Sequence, residues 1–325
     1  MEIGPRMKNT IASLLLLLGF CASGLSAQEA SSRTYVLKDG SALTYARPGL
    51  LRTLGATPSD MLTFTKDSFS RDNLPWLAAI GASSVILIHY DQTIYDGVRR
   101  TGRKLRISQT DKTRTYLTVG GVALFRGPAD LGSTLYFIGD GWVTIGLFGY
   151  LKAAGWLTGD WRAAQTGNQL GEGLIATGVI TELMKNIAGR ETPERSSGKG
   201  GVWRMFPGLG NYIKRRPTYD AFPSGHLATS AMALAVLTEN YPDNAYIKPI
   251  GYTLLGGLCF QMINNGVHWA GDYPLGFAVG YGLGKVIAGH GRTSAVRTAP
   301  APSALSFSPY FTPEGATGAR LAYRF

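Results

Sequence analysis

Apolar positions along this chain gather into segments near 75–90, 134–158, 167–185, 226–240, 247–263 and 273–288, most of them with helical spacing and few β-branched runs. That pattern predicts an all-α domain of about six core helices. Residues 28–73 are polar and mixed, with Lys38-Asp39-Gly40 as a turn signal, and read as an irregular or partly helical arm. Residues 191–222 are rich in Gly, Ser, Pro and Arg and predict a long loop, of a length often kept for function. Residues 291–304 read as a linker. From Ala319 to Phe325 the apolar residues fall at every second position, which predicts a short strand or hairpin packed on the helices, since one strand cannot close a barrel.

The first 27 residues have a basic start at Lys8, a Leu14 to Leu18 run and a small-residue cleavage site at Leu25-Ser26-Ala27. This is the pattern of a removable export signal. The expected organisation is therefore a signal at 1–27, an arm at 28–73, a helical domain at 74–290 and a linker with a strand segment at 291–325. Of the two cysteines, Cys21 leaves with the signal and Cys259 remains, so no internal disulfide is expected. The apolar segments reach about 15 to 18 residues, short of the roughly 20 that span a bilayer. Three crossings by the segments at 75, 134 and 167 would also place Lys185 on the inner side, away from an exported site. The expectation is a periplasmic domain, soluble or lying on a membrane.

A net charge of +11 adds a second layer. Seven Lys or Arg against one acid lie between Arg99 and Arg114, and eight against two between Lys185 and Arg216. An exported protein seldom meets nucleic acid, so these blocks point to a membrane surface, anionic lipid headgroups or phosphorylated substrates. The first block carries no catalytic residue type and reads as a solvated or membrane-facing loop. The second lies just before the candidate chemistry.

That chemistry centres on two of the four histidines, 42 positions apart. In Pro223-Ser224-Gly225-His226, Ser224 is a plausible helix N-cap. The amides near Gly225 and His226 would then point at an anion, and Gly225 would let it approach the backbone closely. His226 would protonate a leaving oxygen. In His268-Trp269-Ala270-Gly271-Asp272, a carboxylate one helical turn from a histidine suits an oriented nucleophile.

Together these residues resemble the type 2 phosphatidic acid phosphatases (PAP2), which share a helical fold with bacterial nonspecific acid phosphatases and vanadium haloperoxidases. The family pattern is Lys, six residues, Arg-Pro; then Pro-Ser-Gly-His; then Ser-Arg, five residues, His, three residues, Asp. Lys185, Pro193, Pro223 to His226, His268 and Asp272 match in order and spacing, over about residues 130–290. The resemblance implies a PAP2-type helical bundle and a phosphatase that needs no metal or other cofactor. In it His268 is the nucleophile, Asp272 its orienting partner and His226 the general acid, with Lys185, Ser224 and the Gly225 amide as phosphate ligands.

Two positions depart from the pattern. Thr192 stands where the first motif has Arg, and Gln261-Met262 where the third has Ser-Arg. Each lost charge-assisted contact is worth about 1.5 to 3 kcal/mol. Arg190, Arg195, Lys199 and Arg204 lie in the same basic loop, and the expectation is that the loop folds over the site with Arg190 and Arg195 restoring the charge. The leading function is an exported phosphatase acting on a lipid or small-molecule phosphomonoester or pyrophosphate through a phosphohistidine. The alternatives are a module that binds phospholipid without turnover and, within the same fold, a vanadium haloperoxidase.

Overall fold

A computed structural model describes residues 32–119, 122–295, 305–311 and 317–323, so the signal read at 1–27 lies outside the described residues. The arm is more ordered than its composition suggests. It contains β1 (Ser32–Val36), β2 (Ala42–Ala46), α1 (Leu50–Gly55) and α2 (Thr57–Ser68). The long α3 (Leu74–Lys104) then absorbs the first half of the basic block that was expected to be a loop. Beyond it, β3 (Thr113–Val119) and β4 (Val122–Pro128) form an antiparallel ribbon that no apolar period announced.

Three aspartates start the next helices by accepting a free backbone N–H in the first turn. Asp130 caps α4 (Leu131–Phe137) through Ser133 N, Asp140 caps α5 (Gly141–Thr158) through Trp142 N, and Asp160 caps α6 (Trp161–Ala188) through Ala163 N. Gly159 and Gly189, at φ 69° and 56°, end α5 and α6 in the left-handed region that favours glycine. The segment expected as one helix over 134–158 is thus two. Then come α7 (Leu209–Lys214), α8 (Gly225–Asn240), α9 (Ile247–Asn264) and α10 (Tyr273–Ala288), with 3₁₀ turns at Pro193–Arg195, Arg216–Thr218 and Ala270–Asp272. Six of these helices are long, as the periodicity predicts.

The linker expected at 291–304 begins with a strand. β5 (Arg292–Ala295) pairs antiparallel with β2 and closes the sheet β1-β2-β5. Strands β6 (Leu305–Phe311) and β7 (Thr317–Tyr323) make the expected terminal hairpin, with Leu305 opposite Tyr323.

The core that carries the site is the packing of α10 on α8. Gly276, Gly280 and Gly284 repeat every fourth residue on α10 and face the α8 backbone. A Cβ at Gly276 would lie 2.7 Å from the Ser224 carbonyl, one at Gly284 2.6 Å from that of Met232, and one at Gly280 would overlap that of Ala228. Only glycine lets the two helices approach this closely. Beside them Leu227, Ala231, Leu234, Leu255, Leu258 and Met262 form a buried cluster between α8 and α9.

Other helices turn apolar residues outward. Ile175, Val179, Leu183 and Ile187 form an exposed stripe on α6, and Trp76, Val85, Ile86 and Tyr90 are exposed on α3. At 31 residues α3 exceeds the expected segment of 75–90. It is the one described helix long and apolar enough, by length and composition, to cross a membrane.

Candidate active site

Ser224 is fully buried at the start of α8, and its side chain accepts from Leu227 N at 3.4 Å. As N-terminal positions of the helix, the Gly225 and His226 amides have no intrahelical partner. Among the described residues they make no other backbone hydrogen bond. Lys185, near the end of α6, lies directly over this terminus, with its Nζ 3.2 Å from where a Gly225 Cβ would stand. A side chain at 225 would fill the space between lysine and backbone.

Lys185 is buried and paired with Asp220 at 2.9 Å. Burial alone would raise the Asp220 carboxyl. Lys185, with help from Arg216 and His268, instead holds it below the ordinary carboxylate value. Arg216 also pairs with Glu182, and the Tyr212 hydroxyl donates to Glu182 at 2.9 Å and Asp220 at 3.0 Å. Neither Asp220 nor Arg216 was singled out in the sequence, although an acid just after a basic run and four residues before Ser224 was a readable signal. Asp220 competes with any anion for Lys185. Asp220→Asn is therefore expected to tighten inorganic phosphate binding about tenfold, read by calorimetry, because it removes a like charge without removing the lysine.

The two histidines meet at this terminus with ring centroids 6.2 Å apart and near-perpendicular planes. His268 Nδ1 lies 2.7 Å from the Ala221 carbonyl oxygen. A carbonyl only accepts, so Nδ1 carries a proton, and in the neutral ring the nucleophilic nitrogen is Nε2. Asp272 is more distant from Nδ1, at 3.4 Å. It accepts from Trp269 N at 2.7 Å, across a 3₁₀ turn. The pair is thus not on one α-helix as its spacing suggested, and the main tautomer-setting partner is a backbone carbonyl. His226 packs against Tyr136, ring to ring at 4.7 Å. Burial, with the charges of His268 and Lys185 nearby, pushes its pKa down to about 3.

Arg190 corrects an expectation. It is fully buried, its Nη1 donates to Asp272 at 2.6 Å, and its Nη2 donates to Asp91 at 2.5 Å and to the Gly200 carbonyl at 2.6 Å. Its guanidinium sits between the rings of Trp203 and Trp269, 4.9 and 5.5 Å away. Held in this way its guanidinium is committed to two buried carboxylates and a backbone carbonyl instead of standing open to a phosphate as expected. Arg204 is likewise engaged, by Glu191. Arg195 is exposed and makes no side-chain hydrogen bond or ion pair among the described residues. The two altered motif positions offer no charge. The Thr192 hydroxyl donates to the Pro217 carbonyl, and Met262 lies buried with its sulfur 3.6 Å from Ser224 Oγ. Asp91, an acid directly after the apolar run of α3, was missed in the sequence. It also accepts from Gly271 N at 2.8 Å, tying α3 to the His268 turn.

Lys185, a helix terminus with open amides and two facing histidines form one cluster, and all of it falls within a recognisable stretch of chain. Residues 167–291 match the model of the PAP2 superfamily. The motif resemblance and this match agree, and the mostly helical architecture is consistent with a PAP2-type fold. The PAP2 match spans most of α6 through α10 and leaves Asp91, on α3, outside it. The superfamily is of phosphatase or phosphoesterase type. No curated protein and no solved structure matches the chain.

Proposed function

We propose that the protein is an exported phosphatase that hydrolyses a phosphomonoester or pyrophosphate, on a lipid or a small molecule, through a phosphohistidine. The observation that carries this reading is the pair of histidines 6.2 Å apart, one with its Nδ1 proton on the Ala221 carbonyl. Two imidazoles paired at one helix terminus, with Lys185 over its open amides, support a phosphoryl group held between a nucleophile and an acid. His268 Nε2 bonds to phosphorus while the bond to the leaving oxygen breaks, and His226 gives that oxygen its proton. Water then attacks phosphorus, His226 takes a proton from it, and the P–N bond breaks to restore His268. Asp272, at 3.4 Å, stabilises the imidazolium character that builds on His268. Lys185 and the Gly225 and His226 amides neutralise the phosphoryl oxygens, with Ser224 holding the turn. Arg216 stands at the rim as a further cation, and Arg195 is free to swing toward a bound substrate. The exposed apolar faces of α3 and α6 support a location against a membrane, and the export signal read in the sequence is what favours its periplasmic side.

Phosphate release from a panel of lipid and soluble phosphoesters, assayed in soluble and membrane fractions, tests activity, substrate class and location together. Release from none of them, with phospholipid binding retained in His268→Ala, would favour the non-hydrolysing module, the reading to which Thr192 and Met262 lend support. A haloperoxidase would hold vanadate permanently, and with neither position charged the cluster is poorly equipped for that.

The lowered pKa of His226 gives a signed prediction. Near pH 6 the free site holds His226 neutral, and a bound phosphate anion raises its pKa, so binding is accompanied by proton uptake. Calorimetry at pH 6 in buffers of different ionisation enthalpy is expected to show uptake approaching one proton per phosphate. In His226→Gln that uptake disappears.

A further inference from the structure

A second cluster lies further back along α6, in its N-terminal half. Glu172 is fully buried there, and neither of its carboxylate oxygens has a hydrogen-bond partner. It faces Asp60 on α2 and His290 just beyond α10, and one donor atom from each of the three residues lies within 4.8 Å of the others. His290 Nδ1 is 3.0 Å from Asp60 Oδ2. The position of His290 is fixed from behind, because Gln165 and Gln169 on α6 donate to its backbone carbonyl at 3.1 and 2.8 Å.

Asp60 has His290 as a partner, but Glu172 is a buried carboxylate facing a second carboxylate with no donor of its own, which is costly and must be compensated. Either one carries a proton shared with the other, or a cation lies among them. The histidine decides the choice. As a hydrogen-bond partner His290 serves Asp60 alone and leaves both Glu172 oxygens unmet, whereas two carboxylate oxygens and one imidazole nitrogen converging on one point form a set suited to a divalent first-row ion. Two negative charges and a neutral imidazole also balance a dication.

We infer that Asp60, Glu172 and His290 bind a divalent transition cation, Zn²⁺ by its preference for mixed nitrogen and oxygen ligands. Its role is structural. Glu172 precedes Lys185 by 13 residues on α6, roughly 20 Å along the helix axis, so the ion takes no part in the phosphate chemistry. It pins α2 and the chain after α10 onto α6, joining segments more than 100 residues apart in sequence. Beside it Met61, Phe64, Ile180, Leu283 and Ile287 pack the same three segments together.

The experiment uses the full, tag-free chain, stripped with chelator and titrated with Zn²⁺, and with Co²⁺ as a spectroscopic probe. The expected result is one equivalent bound at micromolar or tighter affinity and visible Co²⁺ bands of low coordination number. At a hundredfold excess over Kd the melting temperature should rise by about 5 °C or more. Glu172→Gln and His290→Ala should lose the binding and the temperature shift, while His268→Ala keeps both. If Glu172→Gln fails to fold, Asp60→Asn reads the same loss. A folded, stripped wild type that binds neither Zn²⁺ nor Co²⁺ below 100 µM would overturn the inference and leave a shared proton in its place. The phosphatase reading does not depend on the outcome, because His268→Ala separates the two sites.

Discussion

Replacing His268 by alanine is expected to lower phosphate release by at least about 10⁴-fold while leaving the fold and phosphate affinity nearly intact. Loss of a covalent nucleophile removes the reaction path itself and not merely one contact, so the effect exceeds that of any single ligand. Phosphate binding survives because Lys185 and the α8 amides are untouched, and alanine in place of a buried imidazole costs packing that the surrounding helices can absorb. Kinetics with circular dichroism and phosphate calorimetry on the same preparation check all three statements. His268→Gln is a useful companion, since it keeps a donor toward the Ala221 carbonyl while removing the nucleophilic nitrogen.

Arg190→Ala is expected to be the most damaging change to stability. It leaves Asp91 and Asp272 fully buried with no cation between them, and breaking such a pair costs about 3 to 5 kcal/mol. Set against a total stability of about 5 to 15 kcal/mol, that loss takes much of the margin. For a chain of this size the melting temperature should fall by about 5 to 8 °C, measured by calorimetry or circular dichroism. The result separates two roles for this arginine. A phosphate clamp would lose substrate affinity and keep its melting temperature, whereas the observed geometry makes stability fall first, with activity following as Asp272 loses its position.

Arg190 also shows what a sequence can and cannot convey. Its place in a basic loop beside a missing motif arginine suggested phosphate, since spacing along the chain is all that a sequence displays. Its partners, Asp91 and Asp272, are 99 and 82 residues away, and only folding places them beside it. The motif residues were readable for the opposite reason. Ser224, Gly225 and His226 are consecutive and build a helix terminus locally, and His268 with Asp272 is held by one short turn whether that turn is α or 3₁₀. The long helices followed from apolar periodicity, but the split between α4 and α5 was not read, although Gly139-Asp140 marks it. Strand β5 was hidden because four residues carry too little pattern, and its identity depends on β2, some 250 positions earlier. The Asp60, Glu172 and His290 cluster was invisible for the same reason.

That second cluster bears on how the first should be tested. Activity lost on prolonged chelation would be consistent with a weakened fold as much as with metal chemistry, so the covalent intermediate is the better object to measure. Brief reaction with a ³²P-labelled phosphoester, quenched in alkali, should leave an acid-labile, base-stable label that peptide mapping places on His268 and that is missing in His268→Ala. Steady hydrolysis with no label on His268, or with the label on another residue, would contradict the phosphohistidine mechanism.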